Sequence, residues 1–462
     1  MSGAKRSAPS KSVPSTSAPK ASRAAKAPAS SASAPKVSRA AKAPASSTSA
    51  PSTSARTVLA ELLEPGPAPA PVAGFRWASL AAGIKKRGGL DLALLVADRP
   101  VPTAAVFTRS LVKAAPVLVA AERVASGRAQ AVLVNAGCAN AATGRPGLAA
   151  TRSSSSAVAK ALGIDASLVL PMSTGVIGVL LPAAKIEAHA APLVAAASAD
   201  GLEGFSRAIM TTDRGPKRAE AEARIGGKRV RVVGVAKGAG MIHPDMATTL
   251  ACVVTDARVS APMLRRALRT ATDETFNALT VDGDTSTNDT IVAMASGAAG
   301  NAPIRAGDAG ERALVVALTQ VLGALGRLIV ADGEGAEHLV TVRVEGAPSE
   351  AGAKAVARAI ATSNLVKTAL YGKDPNWGRV LAAAGRAGVP FDPSRASLDV
   401  GEVRLVTGGL AVGGDTDARA HAVMLRPEYT LTLRLGAGRA AASYLTCDFG
   451  TEYVRINADY RS

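Results

Sequence analysis

The chain has 462 residues, 48% hydrophobic and only 3% aromatic, enough for two or three domains whose cores rest on Ala, Val and Leu. Its net charge of +18 would point to nucleic acid or a membrane surface, but ten cations and no carboxylate lie in residues 1–56, leaving +8 for the rest. That distribution, with no basic patch interleaved with aromatics and no recognition motif, argues against a nucleic-acid partner.

Three cysteines, Cys138, Cys252 and Cys447, stand far apart without a CxxC pair, which suits a reducing cytoplasm better than a disulfide framework. The longest apolar helical candidate, Ala313 to Ala331, is interrupted by Thr319, Gln320 and Arg327, so no membrane span and no membrane partner are expected.

Residues 1–56 are Ser, Ala, Pro and Lys almost throughout and contain a near duplication, APKASRAAKAPASSAS from Ala18 and APKVSRAAKAPASSTS from Ala34. Such a segment cannot bury enough apolar surface to offset chain entropy. It reads as a disordered basic tail rather than an amphipathic transit peptide. Residues 57–73 form a Pro-Ala linker, and order is expected from Gly74. Short strands are predicted around the Gly-Ile-Lys-Lys turn between Phe75 and Val96, then at Thr103 to Thr108 and Gln130 to Asn135.

Two Gly-containing polar turns follow apolar strands: Asn135-Ala136-Gly137-Cys138-Ala139-Asn140, ahead of a helix from about Gly147 to Leu162, and Pro171-Met172-Ser173-Thr174-Gly175-Val176-Ile177-Gly178. Taken alone, Thr174-Gly175 is an ordinary strand-end turn and Thr211-Thr212-Asp213 a strand end or cap. A hairpin, Ala221 to Ile225 and Arg229 to Val235, leads to Lys237. A Gly-rich loop (Gly238, Gly240, Pro244) then opens directly onto Met246-Ala247-Thr248 and an apolar strand, Leu250 to Thr255. A threonine whose preceding peptide bond is broken gains a free amine beside its own hydroxyl, one of the few routes to a threonine nucleophile. His243 in the same loop is read as structural, because such a threonine needs no imidazole.

Beyond it a helix is expected from Ala261 to about Leu279, with Leu264, Ala267, Leu268 and Ala271 at helical spacing. Asp282 to Thr290 offers several oxygens but lacks the distal Glu of a calcium loop, so no metal is expected, and the loop is placed near the nucleophile. A long helix, Gly310 to Leu328, ends at Asp332-Gly333-Glu334-Gly335, and the C-terminal run from Tyr453 to Ser462 does not have the composition of a frayed tail.

From Gly74 to Ser462 these motifs resemble the ornithine acetyltransferase family, the bifunctional glutamate N-acetyltransferases of arginine biosynthesis. The resemblance implies a mixed α/β fold of two lobes, two layers of sheet flanked by helices, superficially like N-terminal nucleophile hydrolases. It also implies self-cleavage between Ala247 and Thr248 into an α chain of residues 74–247 and a β chain of residues 248–462, assembled as α2β2. Thr248 would then be the nucleophile, Thr174 and Gly175 the oxyanion hole, and Thr211 (in preference to Thr212), Lys237, Thr248, Glu334, Asn457 and Ser462 the substrate contacts. Two departures stand out: Glu337-His338 replaces the usual Thr-Lys pair, and Ser462 stands where Thr is frequent. Asp374-Pro375-Asn376-Trp377-Gly378-Arg379 also matches, shaping either the site or an interface.

The expected reaction moves an acetyl group from N2-acetylornithine to glutamate through an acetyl-threonine ester, without a cofactor. Whether acetyl-CoA serves as a second donor is left open. A self-processing aminopeptidase of the related hydrolase class is the alternative. A binding module centred on the basic tail and a nucleotide-binding enzyme are weaker, since no GxGxxG or GxxxxGK[ST] follows a strand.

Overall fold

The computed structural model describes residues 59, 63, 64, 66–243 and 249–459, all within one unit, Thr53–Ser462. The basic tail, the cleavage pair Ala247 and Thr248, and Ser462 lie outside the described residues.

A 16-residue run from Leu92 to Phe107 forms β2, long enough to serve two sets of neighbours. Its first half lies between β1 (Phe75–Leu80) and β3 (Arg128–Cys138), antiparallel to both. After an irregularity between Val96 and Val101, its end pairs with β8 (Thr290–Ala295). The predicted strand at Thr103 to Thr108 is therefore the end of a longer one. On one side β4 (Val169–Val176) joins β3 in parallel. On the other, β7 (Leu250–Thr255) runs parallel to β8, followed by the antiparallel hairpin β6 (Lys228–Lys237) and β5 (Lys217–Ile225). The result is an eight-stranded sheet, β4-β3-β2-β8-β7-β6-β5 with β1 on β2.

Burial shows how this sheet folds over. All six residues of β7 are buried, as an unbroken apolar strand covered on both faces must be. Leu250, Cys252 and Val254 share one core with Phe75, Leu95, Val132 and Leu170, so the β6–β8 half packs face to face against the β1–β4 half. Ala251 and Val253 point the other way, into helices Ala261–Glu274 and Ala309–Ala331. The outer face of the β1–β4 half is covered by helices Gly144–Leu162 and Ala183–Ala195. Two sheet layers thus lie between two helix layers.

A six-stranded second sheet has its own core. Its order is β12 (Leu410–Ala411), β11 (Val403–Thr407), β10 (Ser397–Val400), β13 (Glu428–Arg434), β9 (Leu339–Ala347) and β14 (Ala440–Cys447). Only β9 and β13 pair in parallel. Val340, Val342 and Val344 point at helices Glu350–Ala361 and Trp377–Gly385, whereas β13 alternates buried and part-exposed, the pattern of a one-sided sheet.

Two expectations are corrected. The helix beginning at Ala261 stops at Glu274, because Thr275 leaves helical geometry and a short 3-10 turn, Phe276–Ala278, sends Phe276 and Leu279 into the core. There Thr280 N–H donates to Leu445 O at 2.8 Å. Helix Ala309–Ala331, despite its polar interruptions, has 23 residues and a window of mean hydropathy 2.0, passing the length and composition test for a membrane span. Leu314, Leu318, Val321, Leu322, Leu325 and Ile329 are buried in the first core, which accounts for that hydropathy. It lies so close to the sheet that a Cβ on Gly234 would meet Val321 at 2.6 Å.

Candidate active site

The C-terminal ends of β4 and β6 and the N-terminal ends of β7 and β8 meet around one cavity of about 260 Å³. At the β4 end, Gly175 (φ 131°) approaches Gly137 (φ 106°) on β3 so closely that a Cβ would lie 2.3 Å from the Gly137 carbonyl carbon. No other residue type allows that approach. It turns Thr174 into the cavity, where its hydroxyl accepts a hydrogen bond from Lys237 Nζ at 3.3 Å. A hydroxyl that accepts from an ammonium keeps its own proton to donate.

Lys237, the last residue of β6, is only 8% exposed. Its ammonium also donates to Thr211 Oγ1 at 2.7 Å and lies 3.7 Å from Asp213 Oδ2. No equivalent bond to Thr212 is found among the described residues, although both threonines border the cavity. Beneath this ammonium is a charge cluster in which the Asp213, Lys217 and Asp332 side chains are fully buried and Arg214 reaches in from the surface. Lys217 Nζ donates to Asp213 Oδ1 at 2.7 Å and to Asp332 Oδ2 at 2.6 Å, and Arg214 Nε reaches Asp332 Oδ1 at 2.7 Å. Burial alone would push the Asp213 carboxyl up, but Lys217 and Lys237, with hydrogen bonds from Lys217 and the Thr211 N–H, hold it well below the usual carboxylate range. Lys217 mirrors it: burial works against its charge, and Asp213 and Asp332 nonetheless raise it. Asp213 also accepts from Gly238 N–H at 2.6 Å, tying the start of the Gly-rich loop to the cluster.

Across the cavity, Glu334 sits in the turn after helix Ala309–Ala331 and is 8% exposed. Its Oε2 accepts from Asn457 Nδ2 at 2.8 Å, which brings the C-terminal helix Thr451–Ala458 to the site. The Gly-rich loop passes over this carboxylate at Gly240, where a Cβ would lie 2.4 Å from Glu334 Cδ. Asp282 then accepts from the N–H groups of Met241 at 2.6 Å and Ile242 at 2.8 Å. Thr249 resumes the chain beyond the undescribed residues, its hydroxyl donating to Lys237 O.

Residues 76–462 match the ArgJ family. The chain belongs to the ArgJ family. It is 49% identical over 391 residues to the arginine biosynthesis bifunctional protein ArgJ of Geobacter sulfurreducens, covering 85% of this chain and 100% of the relative. The like-named protein of Desulfotalea psychrophila is 47% identical over 391 residues, again 85% and 100% of the two chains. Among solved structures, ornithine acetyltransferase complexed with ornithine from Mycobacterium tuberculosis is 42% identical over 38% of this chain and 94% of that one, with a TM-score of 0.35.

Of the residues singled out in the sequence, Thr174, Gly175, Thr211, Lys237, Glu334 and Asn457 border this one cavity. The loop from Asp282 to Thr290 also reaches it, through Ser286, Asn288 and Asp289. His243 does not border it; its Nε2 faces Arg358 Nη2 at 2.7 Å and its Nδ1 faces Thr280 Oγ1 at 3.2 Å. The segment from Asp374 to Arg379 lies elsewhere, where Asn376 caps helix Trp377–Gly385. Of the departing pair, His338 Nδ1 bonds Asp448 Oδ2 at 2.9 Å and Glu337 pairs with Lys373 at 3.1 Å. With Asp448 they form a group whose ligand atoms lie within 4.8 Å of one another. Asp332, Lys217 and Asp289 escaped sequence reading, since nothing local marks a charge as buried.

The buried cluster makes a specific stability prediction. Lys217→Ala removes the cation that Asp213 and Asp332 share, leaving only Lys237 and Arg214 beside them, and should lower unfolding free energy by about 3–5 kcal/mol, measured by urea denaturation. Because the Asp213 carboxyl is lowered in the folded state, its contribution is complete above the roughly 3.9 of a free aspartate and is lost only as pH falls below it. The deficit should therefore persist at neutral pH and shrink only in strong acid.

Proposed function

We infer that this chain is an ArgJ-type acetyltransferase that moves an acetyl group from N2-acetylornithine to glutamate in arginine biosynthesis. The observation that carries the site-level reading is one cavity holding the Lys237 ammonium, the Glu334 carboxylate and the Thr174 hydroxyl, bordered by Thr249. An amino-acid substrate offers a carboxylate for Lys237 and an amine for Glu334, while Thr174 and Gly175 face the developing oxyanion. Thr248, bonded to Thr249, is the nucleophile freed by cleavage after Ala247. Its hydroxyl attacks the acetyl carbonyl, its own amine takes the hydroxyl proton, ornithine departs, and glutamate collects the acetyl group from the threonine ester. Thr211, Asn457 and Ser462 complete the substrate contacts.

The α chain of residues 74–247 and the β chain of residues 248–462 then form an α2β2 assembly. Among the described residues Cys138, Cys252 and Cys447 are buried and free, in keeping with a cytoplasmic location. A second donor is favoured by a larger groove of about 930 Å³ that shares Gly175, Val176 and Thr211 with the cavity. Exposed Lys86 and Arg87 stand at its rim with apolar Val179 and Leu180, a combination suited to the phosphates and adenine of acetyl-CoA.

Thr248→Ala should leave the chain uncut and lower acetyl transfer to glutamate by at least about 10³-fold in an ornithine-release assay. An uncut variant with full turnover would contradict the assignment, and release of free acetate without acetylglutamate would favour the aminopeptidase-type hydrolase. Replacing Lys86 and Arg87 together by Glu should raise KM for acetyl-CoA roughly tenfold at low salt, with KM for N2-acetylornithine unchanged.

A further inference from the structure

One carboxyl of the cavity has no part in the mechanism so far. Asp289 immediately precedes β8 and is 2% exposed, yet it borders the cavity together with Lys237 and Thr249. Its position is fixed by backbone: its carbonyl accepts from Thr108 N–H at 2.9 Å, and the next residue, Thr290, donates through its N–H to Thr249 O at 2.9 Å. Asp289 is therefore held beside the residue that follows the nucleophile. Its Oδ2 is buried without a hydrogen-bond partner. A buried polar atom left unpaired is costly, and it persists where something else uses it.

Burial pushes this carboxyl well above the usual range, against the opposing pull of Ser286, Lys237 and Thr108. Lys237 and Glu334 are the other charged side chains bordering the cavity among the described residues, and Lys237 is already engaged by Thr174, Thr211 and Asp213. A carboxyl so placed can hold a proton at neutral pH and release it when a stronger base forms beside it.

Building on the acetyl-transfer reading above, we propose that Asp289 is the proton-holding catalytic residue of the transfer, giving its proton to the departing amine and taking one back from the incoming amine. In the first half the Thr248 oxygen forms its bond to the acetyl carbon, and its hydroxyl proton passes to its own amine. The carbon–nitrogen bond of N2-acetylornithine breaks, and Asp289 supplies the proton that lets ornithine leave as a neutral amine, becoming a carboxylate. In the second half the neutral amine of glutamate attacks the ester and loses a proton to Asp289. The threonine ammonium returns its proton to the departing oxygen, and both groups end as they began.

The test compares two acetyl donors in the mature enzyme. An amide nitrogen needs a proton to leave, whereas nitrophenolate does not. Asp289→Asn should slow the first-turnover burst of ornithine from N2-acetylornithine by about 10²–10⁴-fold and change the first-turnover burst of nitrophenol from p-nitrophenyl acetate by no more than about threefold. Asp289→Glu, which keeps a carboxyl, should recover part of the amide reaction. Equal losses on both donors, an unaffected amide reaction, or Asn performing as well as Glu would overturn the proposal. A wild-type enzyme that releases no ornithine would instead refute the acetyl-transfer reading on which it rests.

Discussion

The site is organised by the need to give every donor of a nearly buried lysine, Lys237, a partner. Lys237 ends a strand hydrogen-bonded on both sides, so its backbone cannot move away, and its ammonium is enclosed by two hydroxyls and the Asp213 carboxylate. Asp213 is in turn shared with Lys217, which Asp332 balances from the end of helix Ala309–Ala331. Each buried charge is matched by an opposite one, the condition under which such groups are tolerated. Removing any member therefore disturbs both packing and the electrostatics of the cavity.

That constraint explains why the sheet folds over itself. A substrate with an ammonium, a carboxylate and an acetylated nitrogen needs several groups of different chemistry at once. Thr174 comes from β4, Lys237 from β6, Asp289 from the residue before β8, Glu334 from the turn after helix Ala309–Ala331 and Asn457 from helix Thr451–Ala458. Packing the two halves of the sheet face to face brings these strand ends around one opening. The glycines make the final approach: Gly175 admits β4 to β3, and Gly240 lets the loop lie on Glu334.

Sequence reading found what local pattern encodes. The apolar run that the sequence marks is β7, Leu250–Thr255, in the structure, because a strand buried on both faces carries apolar residues at successive positions. Thr174, Gly175, Thr211, Lys237, Glu334 and Asn457 were legible through the family resemblance, since local pattern alone reads Thr174-Gly175 and Thr211 as ordinary strand ends, and they border one cavity. The end of helix Ala261–Glu274 was missed because its apolar spacing continues past Thr275, and only pairing with Leu445 explains the turn. Lys217 and Asp332 are 115 residues apart, so neither announces its partner. Asp289 looked like one more turn carboxylate, and its burial depends on β2, β7 and β8 together.

The proposed mechanism turns on a covalent event at one threonine. Mass spectrometry of the purified protein, before and after exposure to N2-acetylornithine, tests it most directly. Two fragments meeting between Ala247 and Thr248, the second becoming heavier by one acetyl group, is the predicted result. A single intact chain that still transfers acetyl groups, or cut fragments that never gain one during turnover, would contradict it.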